Sequence, residues 1–142
     1  MNAPLYNTAI LKLAATIPHH ARLPAPQGSS EKRSPVCGSR VTVDVMLDAD
    51  GRVAALGQEV RACALGQASA SLMGAGAIGK TRAELEAARD ALADFLAGKR
   101  ENPGDWPGLE IFLPARPHAA RHPSIRLAFE AVAEAAARAV GA

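Results

Sequence analysis

Aromatic side chains are scarce in this chain of 142 residues: one Trp, one Tyr and three Phe make up 4% of it. Its core has to be assembled from Ala, Val and Leu, which calls for close backbone approach rather than a few large anchors. Cysteine is scarcer still, with Cys37 and Cys63 alone, so there is no disulfide framework of the kind that staples small secreted domains. Long apolar runs are missing too. No segment reaches the roughly 20 uninterrupted apolar residues of a membrane span. The stretch MNAPLYNTAILKLAATIPHH has no cationic leader and is broken by Asn7, Thr8 and Lys12, unlike a secretion signal. A cytoplasmic location without membrane contact is the expectation, and in a reducing compartment two cysteines read as thiols or metal ligands. Blocks of like charge are also absent. The formal charge of +2 comes from scattered residues of both signs, which gives no footing for a nucleic-acid interface.

What is present suits one α+β domain over residues 1–142. Tyr6, Ile10, Leu13 and Ile17 fall at helical spacing and predict a helix over 5–16. Residues 17–34 collect Pro18, Pro24, Pro26, Gly28, Ser29 and Ser30, the chemistry of a loop, and 18–34 is expected to be mobile and to face a partner. Val41, Val43, Val45 and Leu47 alternate with Thr42 and Asp44, predicting a strand over 41–47 with one face buried. Asp50-Gly51 supplies the positive φ of a tight turn, and 52–60 returns as the second strand of a hairpin. Helices are expected over 63–75 and 82–97, the second opened by the capping box Thr81-Arg82-Ala83-Glu84 and stopped by Gly98. Leu109–Leu113 reads as a short helix, 114–123 as irregular, and 125–140 as an alanine-rich helix with Phe129, Val132 and Ala136 inward.

Gly74-Ala75-Gly76-Ala77-Ile78-Gly79-Lys80-Thr81 satisfies the phosphate-loop pattern GxxxxGK[ST] letter for letter. Phosphate binding requires a strand delivering the chain to the loop and a helix receiving it, so that aligned amides face the anion. The preceding residues read as helical. The alternative is a helix–turn–helix junction capped by Thr81, and nucleotide is not an expected ligand.

Cys37 precedes the hairpin and Cys63 follows it at the entry to a helix. Because an antiparallel hairpin returns to its starting end, the two thiols can lie close together. Amides at a helix N-terminus stabilise negative charge, and thiolate is the form that binds metal or accepts sulfur. Read by residue type alone, the pair could equally be two small buried hydrophobes. Pro35-Val36-Cys37-Gly38, Ala62-Cys63-Ala64 leading to Ala68-Ser69-Ala70-Ser71-Leu72-Met73, Gly79-Lys80-Thr81 and Leu127-Ala128-Phe129-Glu130-Ala131 follow one another over residues 35–131. In these landmarks the chain resembles the NifU N-terminal, IscU and SufU group of iron–sulfur cluster assembly scaffolds.

The resemblance implies a third strand near 29–35 and a helix start at Gly-Lys-Thr that binds no nucleotide. It also implies a non-enzymatic role, an iron–sulfur cluster or zinc as cofactor, and a cysteine desulfurase and apo-protein acceptors as partners. Of the three cysteines and one aspartate that the family places around its metal, Cys37 and Cys63 match the first two cysteines. The aspartate position is Ser39 and the third cysteine position is Ser124. Serine is a poor ligand for iron or zinc beside thiolate and imidazole. His122, and further back His118, are candidate replacements by the chemistry of Cys₂His zinc sites, with exposed loop histidines as the alternative. Arg121 and Arg126 are candidate neighbours for a thiolate or persulfide, or else solvated charges; His19 and His20 are assigned nothing. A rival reading is a binding or regulatory module of the same fold that holds no stable cluster. A third is a two-thiol redox protein.

Overall fold

The computed structural model describes residues 5–35 and 38–141. Three antiparallel strands, β1 (Gly28–Arg33), β2 (Arg40–Leu47) and β3 (Val53–Arg61), form one sheet in that order. Four α-helices surround it: α1 (Thr8–Ala14), α2 (Ala64–Gly76), α3 (Arg82–Leu96) and α4 (His122–Val140). Short 3₁₀ segments at Leu109–Ala115 and Ala119–Arg121 connect α3 to α4. The α+β class and the expected hairpin are present, with strand ends within one residue of the sequence reading. Among the described residues no helix is long and apolar enough to cross a membrane.

The hairpin is turned by Gly51 at φ 76°, while the Asp48 carboxylate accepts from the amides of Asp50 and Arg52. Its register sets Val41 opposite Val60, Val43 opposite Gln58 and Val45 opposite Leu56. These residues share the inner face, since residues directly opposite point to the same side of a sheet. Helix α4 lies across β1 and β2 on this face, and α2 and α3 pack on α4. Small residues make that approach feasible. A Cβ on Gly28 would stand 2.0 Å from the Ala135 carbonyl oxygen, and α4 buries six alanines along its length, Ala128, Ala131, Ala133, Ala135, Ala136 and Ala139. The larger side chains fill the remaining volume, with Trp106 edge-on to Phe129 at 5.1 Å between ring centres.

Several expectations need correction. β2 is covered on both faces, because Thr42 and Asp44 are buried along with the valines. The expected mobile loop 18–34 instead contains strand β1 over 28–33, and the part before it is bonded down. The Arg22 guanidinium donates to Asp44 at 2.6 and 3.0 Å, and the Leu23 amide donates to the same carboxylate at 3.0 Å. Gln58 donates from its amide to the His19 carbonyl and from its side chain to that of Pro18. The first helix is shorter than 5–16 because Asn7 caps it, accepting from the Ile10 amide. Only Ile10 of its apolar series is fully buried, and Tyr6 is exposed. The stretch 114–123 is not irregular, since it holds the end of the first 3₁₀ segment, the whole of the second and the first residues of α4.

Candidate functional site

Arg40 pairs with Arg33 on one side and with Arg61 on the other. The residues that precede β2 and follow β3 therefore emerge at one end of the sheet. At this end the Ser34 amide donates to the Ser39 carbonyl at 2.8 Å, closing the β1–β2 connection. Cys37 belongs to that connection in sequence and lies outside the described residues.

Cys63 is the N-cap residue of α2, extended at φ −65° and ψ 170°, half-buried, and with no side-chain capping bond. Capping is usually left to Ser, Thr, Asp or Asn, whose oxygens accept from the helix amides. Here a thiol stands at the positive end of a 13-residue helix. Gln67 ties the turn down, donating from its side chain to the Ala62 carbonyl at 2.7 Å and from its amide to the Cys63 carbonyl at 2.9 Å. Gly66, one turn into α2, meets the start of α4: a Cβ there would lie 3.2 Å from the Ser124 carbonyl oxygen and 2.7 Å from the Ala62 Cβ. Ser69, almost one turn on, donates to the Ile125 carbonyl at 2.6 Å. The first turns of α2 and α4 are thus locked side by side.

Ser124 is 1% exposed and Ser39 4%. The Ser124 hydroxyl donates to the Ser39 hydroxyl at 3.4 Å. The two positions therefore come together, as a long hydrogen bond between neutral side chains. His122 is directed elsewhere. Residues two apart on a helix do not face the same side, and the His122 Nε2 lies 2.9 Å from the Ala115 carbonyl and 3.1 Å from that of Arg116. Its ring lines a shallow groove of about 350 Å³ with Asp94, Lys99 and Arg126. His118 is exposed ahead of the second 3₁₀ turn. Arg126 pairs with Glu130 at 3.5 Å, and Arg121 is exposed. No group of three His, Cys, Asp or Glu side chains converges among the described residues.

The phosphate-loop pattern lies across a helix end. Its first three residues finish α2, Gly79 turns at φ 90°, and Thr81 caps α3 in a reciprocal pair with Glu84. Lys80 lies over the Trp106 ring, 5.6 Å from its centre. No strand delivers the chain to this loop, so the amides that cradle a phosphate are not assembled.

This geometry has close counterparts among solved structures. A crystal structure of a nitrogen-fixing NifU-like protein (N-terminal) from Brucella abortus is 38% identical, with a TM-score of 0.90, over 96% of this chain and 95% of that one. The chain belongs to the NifU-like N-terminal family. A SUF-system scaffold from the thermophile Fervidobacterium islandicum AW-1, described as a putative iron–sulfur cluster assembly protein, shares the fold at TM-score 0.85 and 20% identity, over 93% of this chain and 96% of that one. A hypothetical protein of known crystal structure does so at 0.79 and 22%, over 91% and 94%. No protein-family model and no curated protein sequence matches.

Two features of this NifU-like chain escaped the sequence reading. One is the buried Asp44 with its Arg22 partner. Burial opposes ionisation of Asp44, but hydrogen bonds from Arg22, Ser29 and the Leu23 amide outweigh it and hold the carboxyl below its ordinary range. The other is the row Arg33, Arg40 and Arg61 across the cysteine end of the sheet. A register count from the hairpin turn would find it only by allowing for the irregularity between Met46 and Leu47.

Proposed function

We propose that this NifU-like chain serves iron–sulfur cluster assembly as a scaffold or accessory protein, acting as a single domain over residues 1–142. Cys37 and Cys63 accept sulfane sulfur from a cysteine desulfurase and hold iron, zinc or a nascent cluster on its way to apo-protein acceptors. The observation that carries the reading is the place of Cys63, a half-buried thiol heading α2 at the end of the sheet from which the Cys37 connection also departs. In the sulfur step, the Cys63 thiolate attacks the outer sulfur of a donor persulfide. A new S–S bond forms, the donor's S–S bond breaks, and the donor leaves as thiolate, so no outside oxidant or reductant is required. The role is non-catalytic: the protein supplies ligands and a surface, and metal and sulfur supply the chemistry.

The donor set of one chain falls short of a closed metal site. Iron–sulfur clusters are held by four thiolates as a rule, and this sequence has two cysteines. His122 or His118 enter as third ligands only if segment 115–122 rearranges, since the His122 ring is held by two carbonyls. The hydrogen-bonded Ser39–Ser124 pair favours a second reading, in which the chain keeps the fold and the desulfurase contact but holds no stable cluster. Sulfur transfer is common to both. Incubation with a cysteine desulfurase and free cysteine should add sulfur, read by mass spectrometry, to peptides containing Cys63 or Cys37. Absence of sulfur from both peptides would contradict the proposal.

A further inference from the structure

Arg33, Arg40 and Arg61 stand directly opposite one another on the outer face of the sheet. Neighbouring strands lie about 4.8 Å apart, so the three stems cross the sheet within about 10 Å. Like charges directly opposite destabilise a sheet, and little within the chain offsets this rung. Arg33 and Arg40 share one carboxylate, Glu31, at 2.9 and 3.7 Å. The Arg33 hydrogen bond holds the Glu31 carboxyl below its ordinary range, burial opposing it and Thr42 and Arg40 assisting. The Arg61 side chain is exposed and makes no ion pair or hydrogen bond among the described residues. The next rung inward is Glu31, Thr42 and Glu59, so the face is graded, with three cations at its end and two carboxylates behind them. Beyond these it is closed by the segment before β1, whose Ala21 and Leu23 lie on Gly57. Its open end is the arginine end, two residues from Cys63.

We propose that this arginine rung is the docking strip for a carboxylate-rich segment of the protein that donates sulfur, an inference that rests on the sulfur-acceptor reading above. Arg61 ends β3 two residues before Cys63, and the exposed Arg33 and Arg61 complement carboxylates. A short acidic segment engages the single cationic rung. A phosphate-rich surface such as duplex DNA or an anionic membrane extends over both rungs and is repelled by Glu31 and Glu59. Charges at the rim of an interface act chiefly on the association rate.

The test is the association rate of the full chain with a purified cysteine desulfurase from the same organism, measured at low and high salt. Arg61→Glu should slow association about tenfold at low salt and Arg33→Glu/Arg61→Glu about a hundredfold. The double variant should flatten the salt dependence, and dissociation should be nearly unchanged. Lys12→Glu on α1 is the charge-matched control and should associate at the native rate, and circular dichroism confirms that each variant is folded. Native-rate association of the folded double variant overturns the docking strip, as does equal slowing by Lys12→Glu. If the native chain does not bind desulfurase at any salt, the sulfur-acceptor reading fails and the strip with it. Loss of binding to anionic vesicles or duplex DNA in the double variant, with desulfurase association unaffected, overturns the acidic-segment assignment.

Discussion

Replacing Asp44 tests the physical account of the sheet most severely. The side chain is fully buried on the central strand and accepts from the Arg22 guanidinium, the Leu23 amide and the Ser29 hydroxyl. Asp44→Ala removes every one of those bonds and leaves Arg22 and the Leu23 amide unpaired. Breaking a buried ion pair from one side costs about 3–5 kcal/mol. Arg22 is 47% exposed, so water takes over part of its charge and the lower end applies, about 3 kcal/mol. For a chain of this length that is a fall in Tm of about 10 °C. Asp44→Asn keeps an acceptor and should lose about 1–2 kcal/mol.

The sign of the pH dependence follows from the lowered Asp44 pKa. A carboxylate depressed on folding contributes stability in full above its unfolded pKa, about 3.9, and loses that contribution as pH falls through the lower folded value. The gap between native protein and Asp44→Asn should therefore be constant from neutral pH to about pH 5 and close on further acidification. Urea titrations at a series of pH values measure both quantities. A folded Asp44→Ala within about 0.5 kcal/mol of native, the scale of ordinary surface changes, or a gap that widens in acid, would refute the reasoning.

Gly66→Ala forces a Cβ to within 2.7 Å of the Ala62 Cβ and 3.2 Å of the Ser124 carbonyl; it should cost about 1–3 kcal/mol as an overpacked contact, read by thermal melting. Ser69→Ala removes the 2.6 Å bond to the Ile125 carbonyl and should cost about 1–2 kcal/mol, with faster hydrogen exchange at the start of α4. Thr81→Ala should lose about 1 kcal/mol with the capping box, whereas calorimetry with ATP or GTP should show no saturable heat for native protein or Lys80→Ala.

The hairpin was legible because β-branched alternation and Asp50-Gly51 are local signals, and α3 because its capping box and apolar face are. β1 was not: Gly28-Ser29-Ser30-Glu31-Lys32-Arg33 has no apolar residue from which to read a period. It is a strand because Gly28 and Ser30 admit α4 closely and β2 supplies a complete ladder. The family resemblance, not periodicity, pointed to it. The start of α4 at His122 was obscured by Pro123, read as part of an irregular stretch although proline is tolerated in the first turn of a helix. At the site, the importance of positions 39 and 124 came with the family motif. The direct Ser39–Ser124 contact and the turning-away of His122 depend on the α2–α4 packing, which no local pattern encodes.

Anaerobic reconstitution with ferric iron and sulfide, followed by visible absorption and iron counting, tests the central claim most directly. A scaffold that uses the cysteine pair predicts a coloured, iron-containing protein whose absorption is lost in both Cys37→Ala and Cys63→Ala. A cluster that persists undiminished in Cys63→Ala, or a native protein that stays colourless and binds no iron, would contradict it.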